Sequence, residues 1–212
     1  MEREAVERGS AEEVDRLLEA LRHGDGAALG ALVPLLYDEL RTAAHRQRRR
    51  WHGDQTLDTT ALVHEAYLKL VGQRRASWET RAHFLAAAAR AMRHVLVNYS
   101  RDRRARKRGG ATPMLSLDAL GDQATELAPS PDDATELLVA LDHALARLER
   151  VNARQCRIVE CRFFGGMTID ETALALGIST ATVSRGWALA QVRLYQELQR
   201  GIDPELAHGS GG

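Results

Sequence analysis

Apolar residues recur at helical spacing along most of the chain, and this pattern limits the fold more than any other feature. The first series contains Val14, Leu17, Leu18 and Leu21, and a glycine-containing break follows at residues 23–26. A spacing of three and four residues places such side chains on one face of a helix. No stretch shows the alternation of a half-buried strand. We therefore predict an all-α protein.

Further helical series predict where the other helices begin and end. The second is interrupted at Pro34, because proline kinks a helix or forces it to restart. The third runs from about 58 to 71 and stops at Gly72, and the longest runs from about 80 to 106. Nearer the C-terminus, Asn152 is placed to cap a helix.

A change of composition divides the chain. Residues 110–131 are rich in Gly, Pro, Ser, Thr and acidic residues with scattered leucines, which is typical of a linker. Residues 130–133 then predict a helix start, with a capping hydroxyl, a proline in the first turn and carboxylates at the positive end of the helix dipole. We predict two small helical domains, at about 10–109 and 132–200, joined by a flexible acidic linker.

Composition also excludes several classes of protein. The two cysteines, Cys156 and Cys161, cannot form a disulfide scaffold, and we expect them to act as small apolar residues. The N-terminus lacks the apolar segment of a signal peptide. No apolar run approaches the roughly 20 residues that span a bilayer. We expect a cytoplasmic protein with no membrane segment.

Motifs for catalysis are missing from the sequence. The eight histidines show no spacing typical of a metal site, and His64 with Glu65 lacks the second histidine of a zinc-protease motif. There is no glycine-rich phosphate loop and no nucleophile elbow. The sequence predicts no enzymatic activity, no metal and no cofactor.

Charge is segregated along the chain although its total is zero, with 29 Lys and Arg against 29 Asp and Glu. Nine basic residues lie between Arg81 and Arg108, and Asp102 is the one acidic residue among them. Residues 109–146 contain several acidic residues and no Lys or Arg. Such asymmetry favours a polyanionic partner.

Residues 168–198 have the pattern of a helix-turn-helix. Thr168 and Glu171 match a capping box, Gly177 fits a left-handed helix end, and Ser179 can cap the next helix. The second helix presents Ala181, Thr182 and Arg185 opposite its apolar stripe, near the end that a recognition helix inserts into the major groove. The alternative is an ordinary helical hairpin with a solvated polar face. The coincidence of cap, turn and core spacing favours DNA binding.

The long predicted helix has a basic side and an apolar side. Phe84, Ala88, Met92, Val95 and Tyr99 share one face, whereas Arg90, Arg93, Arg101 and Arg104 lie on the other. A basic ridge with an apolar back suits a nucleic-acid backbone. A solvated helix face is the alternative, but such faces usually mix both signs of charge.

Three segments resemble bacterial RNA polymerase sigma factors. Residues 58–70, with the sequence DTTALVHEAYLKL, resemble the helix that binds core polymerase. Residues 82–104 resemble the helix that melts and reads the minus-ten element, and residues 154–198 are similar to the domain that reads the minus-thirty-five element. The match is to the small, two-domain, extracytoplasmic-function (ECF) type. Residues 60–67 and 106–110 resemble an ECF-like subgroup.

The resemblance implies a role for particular residues. Those implied at the core-polymerase surface are Asp58, Leu62, Val63, Glu65, Tyr67 and Lys69. Those implied at minus-ten DNA are Arg90, Arg93, Asn98, Tyr99, Arg101, Arg103 and Arg104. Those implied at minus-thirty-five DNA are Ala181, Thr182, Ser184 and Arg185. The implied function is promoter recognition, DNA opening and transcription initiation, with core RNA polymerase and promoter DNA as partners.

The sequence is also compatible with other functions. A helix-turn-helix regulator that binds duplex DNA without polymerase has the same C-terminal motif. An anti-sigma factor is a further partner that the resemblance allows. The acidic linker suits either a plain spacer or a segment that occupies a basic channel of the polymerase.

Overall fold

The computed structural model describes residues 2–51, 58–72, 78–106 and 131–202. Every regular element within these ranges is helical, which confirms the all-α prediction. The predicted linker lies outside the described residues except for Pro131, with which a helix begins, and the Gly-rich C-terminal tail also lies outside them.

The described helices fall into two groups along the chain. The N-terminal half contains α1 (Glu2–Arg22), α2 (Ala28–Leu35), α3 (Tyr37–Arg50), α4 (Thr59–Val71) and α5 (Arg81–Arg106). The C-terminal half contains α6 (Pro131–Val159), a π-helical turn (Glu160–Phe164), α7 (Ile169–Leu176) and α8 (Thr180–Ile202).

Local chemistry explains most helix ends in the N-terminal half. After α1 the chain turns through Gly24, whose φ of 92° is accessible to glycine at low cost. Pro34 lies in the last turn of α2, and α3 begins one residue after Leu36, so the predicted restart is confirmed. Asp58 caps α4 by accepting a hydrogen bond from the Ala61 amide at 2.7 Å.

The long helix α6 contains a break. Asn152 has non-helical backbone angles, with φ −154° and ψ 84°. Its Oδ1 accepts a hydrogen bond from the Gln155 amide at 3.0 Å. The predicted cap at Asn152 is therefore confirmed, and it starts the segment of α6 that leads into the π-helical turn.

The two halves share one hydrophobic core. Phe84 and Met92 of α5 are fully buried in the same cluster as Leu141 of α6 and Phe164 of the π-helical turn. Helix α5 packs on α4 within its own half and on α6, α7 and the π-helical turn of the other half. The described halves are in contact, and the division into domains at 10–109 and 132–200 stays a prediction.

None of the described helices has the length and hydropathy needed to cross a membrane.

Candidate nucleic-acid and polymerase interfaces

The helix-turn-helix motif forms as the sequence predicts. Thr168 Oγ1 accepts from the Glu171 amide at 3.1 Å, while Glu171 Oε2 accepts from the Thr168 amide at 2.8 Å. Gly177 adopts a left-handed conformation with φ 62° and ψ 37°. Ser179 Oγ accepts from the Thr182 amide at 3.2 Å at the start of α8. The capping box, the turn glycine and the second cap are thus all confirmed.

The core beneath the motif holds α8 at its place. Val183 and Ala173 pack with Ile158 of α6 in one buried cluster. Gly186 allows α8 to approach Ile158 of α6 closely, because a Cβ at this position would lie 2.6 Å from Ile158 Cδ1. Glycine in a helix interior lowers stability relative to alanine, but at this position the missing side chain leaves room for Ile158.

The N-terminal turns of α8 are accessible from solvent. Ala181, Ser184 and Arg185 are exposed, and Thr182 is half-buried. Ser184 Oγ donates to the Thr180 carbonyl at 3.0 Å. These four residues were predicted to contact the minus-thirty-five element, and the structure brings them together at one helix end. An exposed guanidinium such as that of Arg185 can form two hydrogen bonds to one guanine.

The basic side of α5 is only partly accessible. Arg90, Asn98 and Arg101 are exposed, and Tyr99 is half-buried. Arg93 is buried, with 5% of its side chain exposed. The side chains of Arg103 and Arg104 lie outside the described residues. Of the predicted minus-ten residues, the structure therefore presents some to solvent and encloses Arg93 between the two halves.

Two carboxylates of the C-terminal half bind Arg93. Its Nη2 donates to Asp142 Oδ1 at 2.8 Å and its Nη1 donates to Glu160 Oε1 at 2.6 Å. Arg101 Nη2 donates to the other oxygen of Asp142 at 2.9 Å. Arg90 lies farther from its partners, 3.6 Å from Glu149 and 3.9 Å from Glu160.

These acidic partners were not identified from the sequence. Asp142 lies in the stretch from 109 to 146 that has no Lys or Arg, so the charge segregation was the available signal. Which acidic residue meets which arginine depends on the packing of α6 against α5, and helical periodicity alone does not give that packing.

Burial and charge shift the titration of several groups. Burial raises the pKa of Glu160, and the guanidinium groups of Arg93 and Arg90 act in the opposite direction. Partial burial lowers the pKa of His94 on α5, and the positive charges of Arg93 and Arg90 lower it further. Burial is thus the largest cause of both shifts, and the arginines of α5 are the second.

The two cysteines are buried within the C-terminal half. Burial raises the pKa of Cys156 to about 11 and that of Cys161 to about 12. Both thiols therefore stay protonated and act as small apolar groups, as predicted.

Helix α4 has one buried side and one accessible side. Leu62 and Val63 lie in the core and support the helix from beneath. Asp58 and Glu65 are exposed, and Tyr67 and Lys69 are half-buried. Leu68, which is not among the predicted residues, has 49% of its surface exposed. An exposed large apolar residue beside charged ones is a common feature of protein interfaces.

The side-chain types that bind metals are not clustered in the described residues. Within them, no three His, Cys, Asp or Glu side chains are grouped as metal ligands would be. The geometry instead consists of a helix-turn-helix with an accessible helix end, a basic helix and an amphipathic helix with an accessible side.

Comparison with known proteins gives a family match. No curated protein and no solved structure matches the chain. The family model described as "ECF sigma factor" matches residues 11–200, which include both halves. ECF sigma factors are regulatory DNA-recognition proteins that direct transcription initiation by RNA polymerase, so core RNA polymerase and promoter DNA are the partners of this protein. The chain belongs to the ECF sigma factor family.

Proposed function

We propose that this sigma factor recognises its promoter through two separate surfaces. The first is the N-terminal end of α8, with Ala181, Thr182, Ser184 and Arg185, and we assign it to the minus-thirty-five element. The observation that carries the proposal is the accessibility of this helix end in a motif whose caps and turn are fully formed. A recognition helix contacts base edges with its N-terminal residues.

The second surface is the basic side of α5, and we assign it to the minus-ten element. Its proposed residues are Arg90, Arg93, Asn98, Tyr99, Arg101, Arg103 and Arg104. Arginines supply the phosphate contacts, whose affinity comes largely from counterion release. Tyr99 is half-buried, which agrees with a mainly structural role for its ring. The enclosed position of Arg93 requires the two halves to move apart before this residue contacts DNA.

We propose that the accessible side of α4 docks on core polymerase. Glu65 and Leu68 are exposed there, with Lys69 and Tyr67 at its edge. Leu62 and Val63 contribute by holding the helix in place. Since its polymerase works on the chromosome, we place the protein in the cytoplasm. An anti-sigma factor that covers these same surfaces is a proposed regulator.

Arg185→Ala tests the assignment of α8. We expect run-off transcription from a cognate promoter to fall about 5- to 150-fold, because a bidentate contact to guanine contributes about 1–3 kcal/mol of discrimination. Binding to core polymerase is expected to be unchanged. The matched control is Arg16→Ala, which removes an exposed arginine from α1. If the Arg185 variant distinguishes the native upstream element from a scrambled one as well as the parent protein does, the assignment is wrong.

Arg101→Ala combined with Arg104→Ala tests the assignment of α5. Two lost phosphate contacts are expected to reduce the slope of log affinity against log salt concentration by about 1 to 2. The measurement is promoter binding by the holoenzyme over a salt series. An unchanged slope would show that these arginines do not contact phosphate. A helix-turn-helix regulator, by contrast, would bind the duplex with full affinity when polymerase is left out.

A further inference from the structure

We propose that α3 carries a further DNA-binding surface of this sigma factor, which contacts phosphates of the promoter duplex. We call this surface the α3 face, and it consists of Arg41, His45, Arg46, Arg48 and Arg49. It goes beyond the surfaces assigned on α5 and α8 and does not depend on those assignments.

The order of residues in α3 separates a buried side from a basic side. Leu40 and Ala44 are buried in the core. Arg41, His45 and Arg49 recur every four residues, which places them one above the other along the helix. All three are exposed. Helical periodicity therefore builds a continuous basic strip on the solvent side of α3.

Contacts with neighbouring helices hold the strip in one orientation. Glu39 Oε1 accepts a hydrogen bond from Arg81 Nε at 3.2 Å, which joins the first turn of α3 to α5. Near the other end of α3, Arg48 Nη1 donates to Thr59 Oγ1 at 3.4 Å, at the start of α4. A surface on a fixed helix loses little conformational freedom when a ligand binds.

The positive charge of the α3 face is not neutralised within the described chain. None of its four arginines forms an ion pair with a carboxylate of the described residues. Arg46 and Arg48 donate to neutral oxygens, those of the Gly166 carbonyl and the Thr59 hydroxyl, and therefore keep their full charge.

Other exposed arginines of the N-terminal half differ in this respect. Those whose side chains the structure describes outside α3 all pair with carboxylates, and they are Arg16, Arg22, Arg81, Arg90 and Arg101. Within this part of the chain, exposed arginines without an ion pair are thus confined to α3. Asp38 is also exposed, but it lies in the first turn of α3, where a carboxylate stabilises the positive end of the helix dipole.

The composition of the α3 face favours a nucleic-acid backbone over a protein partner. All exposed residues described in α3 are polar or charged. The exposed large apolar residues of the described chain lie on other helices, at Leu35, Leu68, Val71, Val151, Leu174, Leu189 and Val192. A protein interface has an apolar core. Phosphates, by contrast, are bound by Arg, Lys and hydroxyl groups without apolar contacts.

The length of the α3 face fits several phosphates. Arg41 and Arg49 are eight positions apart, which corresponds to about 12 Å along the helix axis. One strand of B-DNA carries a phosphate every 3.4 Å or so of its axis, so this length covers about three to four phosphates. A guanidinium group can also donate two parallel hydrogen bonds to one phosphate.

Arg41→Ala combined with Arg49→Ala tests the inference in the assembled holoenzyme. Both side chains are exposed, and retention of the parent circular dichroism shows that the variant is folded. Arg41→Lys with Arg49→Lys is the conservative variant, because it keeps both positive charges on the α3 face.

The matched control removes the same charge from another helix. It is Arg16→Ala with Arg22→Ala on α1, where both arginines are exposed and pair with Glu13 and Glu19. Affinity for core polymerase is measured for every variant, and we expect it to stay at the parent value.

The decisive measurement is holoenzyme affinity for the promoter duplex of the run-off assay over a salt series. We expect the double-alanine variant to reduce the slope of log affinity against log salt concentration by about 1.8, since each phosphate contact contributes about 0.9. The ratio of parent to variant affinity is then about twelvefold larger at about 50 mM than at about 200 mM salt. The lysine variant and the α1 control are expected to keep the parent slope.

Three results would overturn the inference. The first is a parent-like slope in the double-alanine variant. The second is a parent-like slope with weaker binding to core polymerase, which would show that the α3 face contacts the enzyme. The third is an equal fall of the slope in the α1 control, which would assign the effect to net charge.

Discussion

Replacing Arg93 with alanine is expected to destabilise the free protein strongly. Glu160 is buried, and the ion pair that it keeps after the change, among the described residues, is the one with Arg90 at 3.9 Å. Asp142 keeps its hydrogen bond to Arg101. Breaking a buried ion pair by removing one partner costs about 3–5 kcal/mol. Because one of the two acids keeps a partner, we expect a loss near the lower limit, about 3 kcal/mol.

Arg90→Ala is the matched control on the same helix. Its side chain is half-exposed and both of its carboxylate contacts are longer than 3.5 Å. Surface pairs of this kind contribute about 0–1 kcal/mol. Urea denaturation of both variants, followed by tryptophan fluorescence, gives the two losses in free energy of unfolding. Equal losses would refute the view that burial makes the Arg93 network energetically distinct.

A triple variant separates the effect of the lost charge of Arg93 from the effect of its lost packing. In a chain that already carries Asp142→Asn and Glu160→Gln, the change Arg93→Ala leaves no unpaired carboxylate. Its cost is expected to fall by at least about 1 kcal/mol, since residues of one network are strongly coupled. If Arg93→Ala lowers the free energy of unfolding equally in both backgrounds, the loss comes from the missing volume of the side chain and not from an unpaired carboxylate.

Two further predictions concern the C-terminal half. Thr168→Ala removes the hydrogen-bond acceptor of the Glu171 amide, and we expect it to lower the free energy of unfolding by about 1 kcal/mol in urea denaturation. An unchanged midpoint of the urea transition would show that the capping box is not needed for stability. Burial raises the pKa of Cys156 to about 11. At pH 8 we therefore expect its thiol to react with iodoacetamide about 100-fold more slowly than a thiol with the ordinary pKa of 9.0. Equal reaction rates in the folded and the urea-unfolded chain would contradict this.

The helix-turn-helix could be predicted in detail because its determinants are local. A capping residue meets its partner three positions later, and the left-handed turn falls on Gly177, where glycine carries no steric penalty. The same holds for Asn152, which caps the helix segment that follows it. Interactions of this range can be predicted from the order of residues alone.

The burial of Arg93 could not be predicted in this way. Periodicity places it on one face with Arg90 and Arg101, and that placement agrees with the structure, in which all three meet acids of the C-terminal half. It does not tell whether solvent, DNA or another helix covers the face. The answer depends on contacts between residues about 50 and 67 positions apart. The DNA contact of Arg93 stays a prediction.

On the proposed polymerase surface of α4, too, the sequence did not predict which residues are buried. The resemblance assigned Leu62 and Val63 together with Glu65, although the first two are buried and Glu65 is exposed. Only the packing of α4 on α5 shows that the two apolar residues are internal and that Leu68 is exposed. The contribution of each residue to docking stays a prediction.

Reconstitution of the purified chain with core RNA polymerase tests the central claim most directly. The chain is mixed with core polymerase, the complex is isolated, and run-off transcription is measured on a template with a candidate promoter. We predict a stable complex that starts RNA synthesis at one defined position, while the chain alone binds the duplex poorly. If the chain does not bind core polymerase but binds the duplex tightly, the account is contradicted.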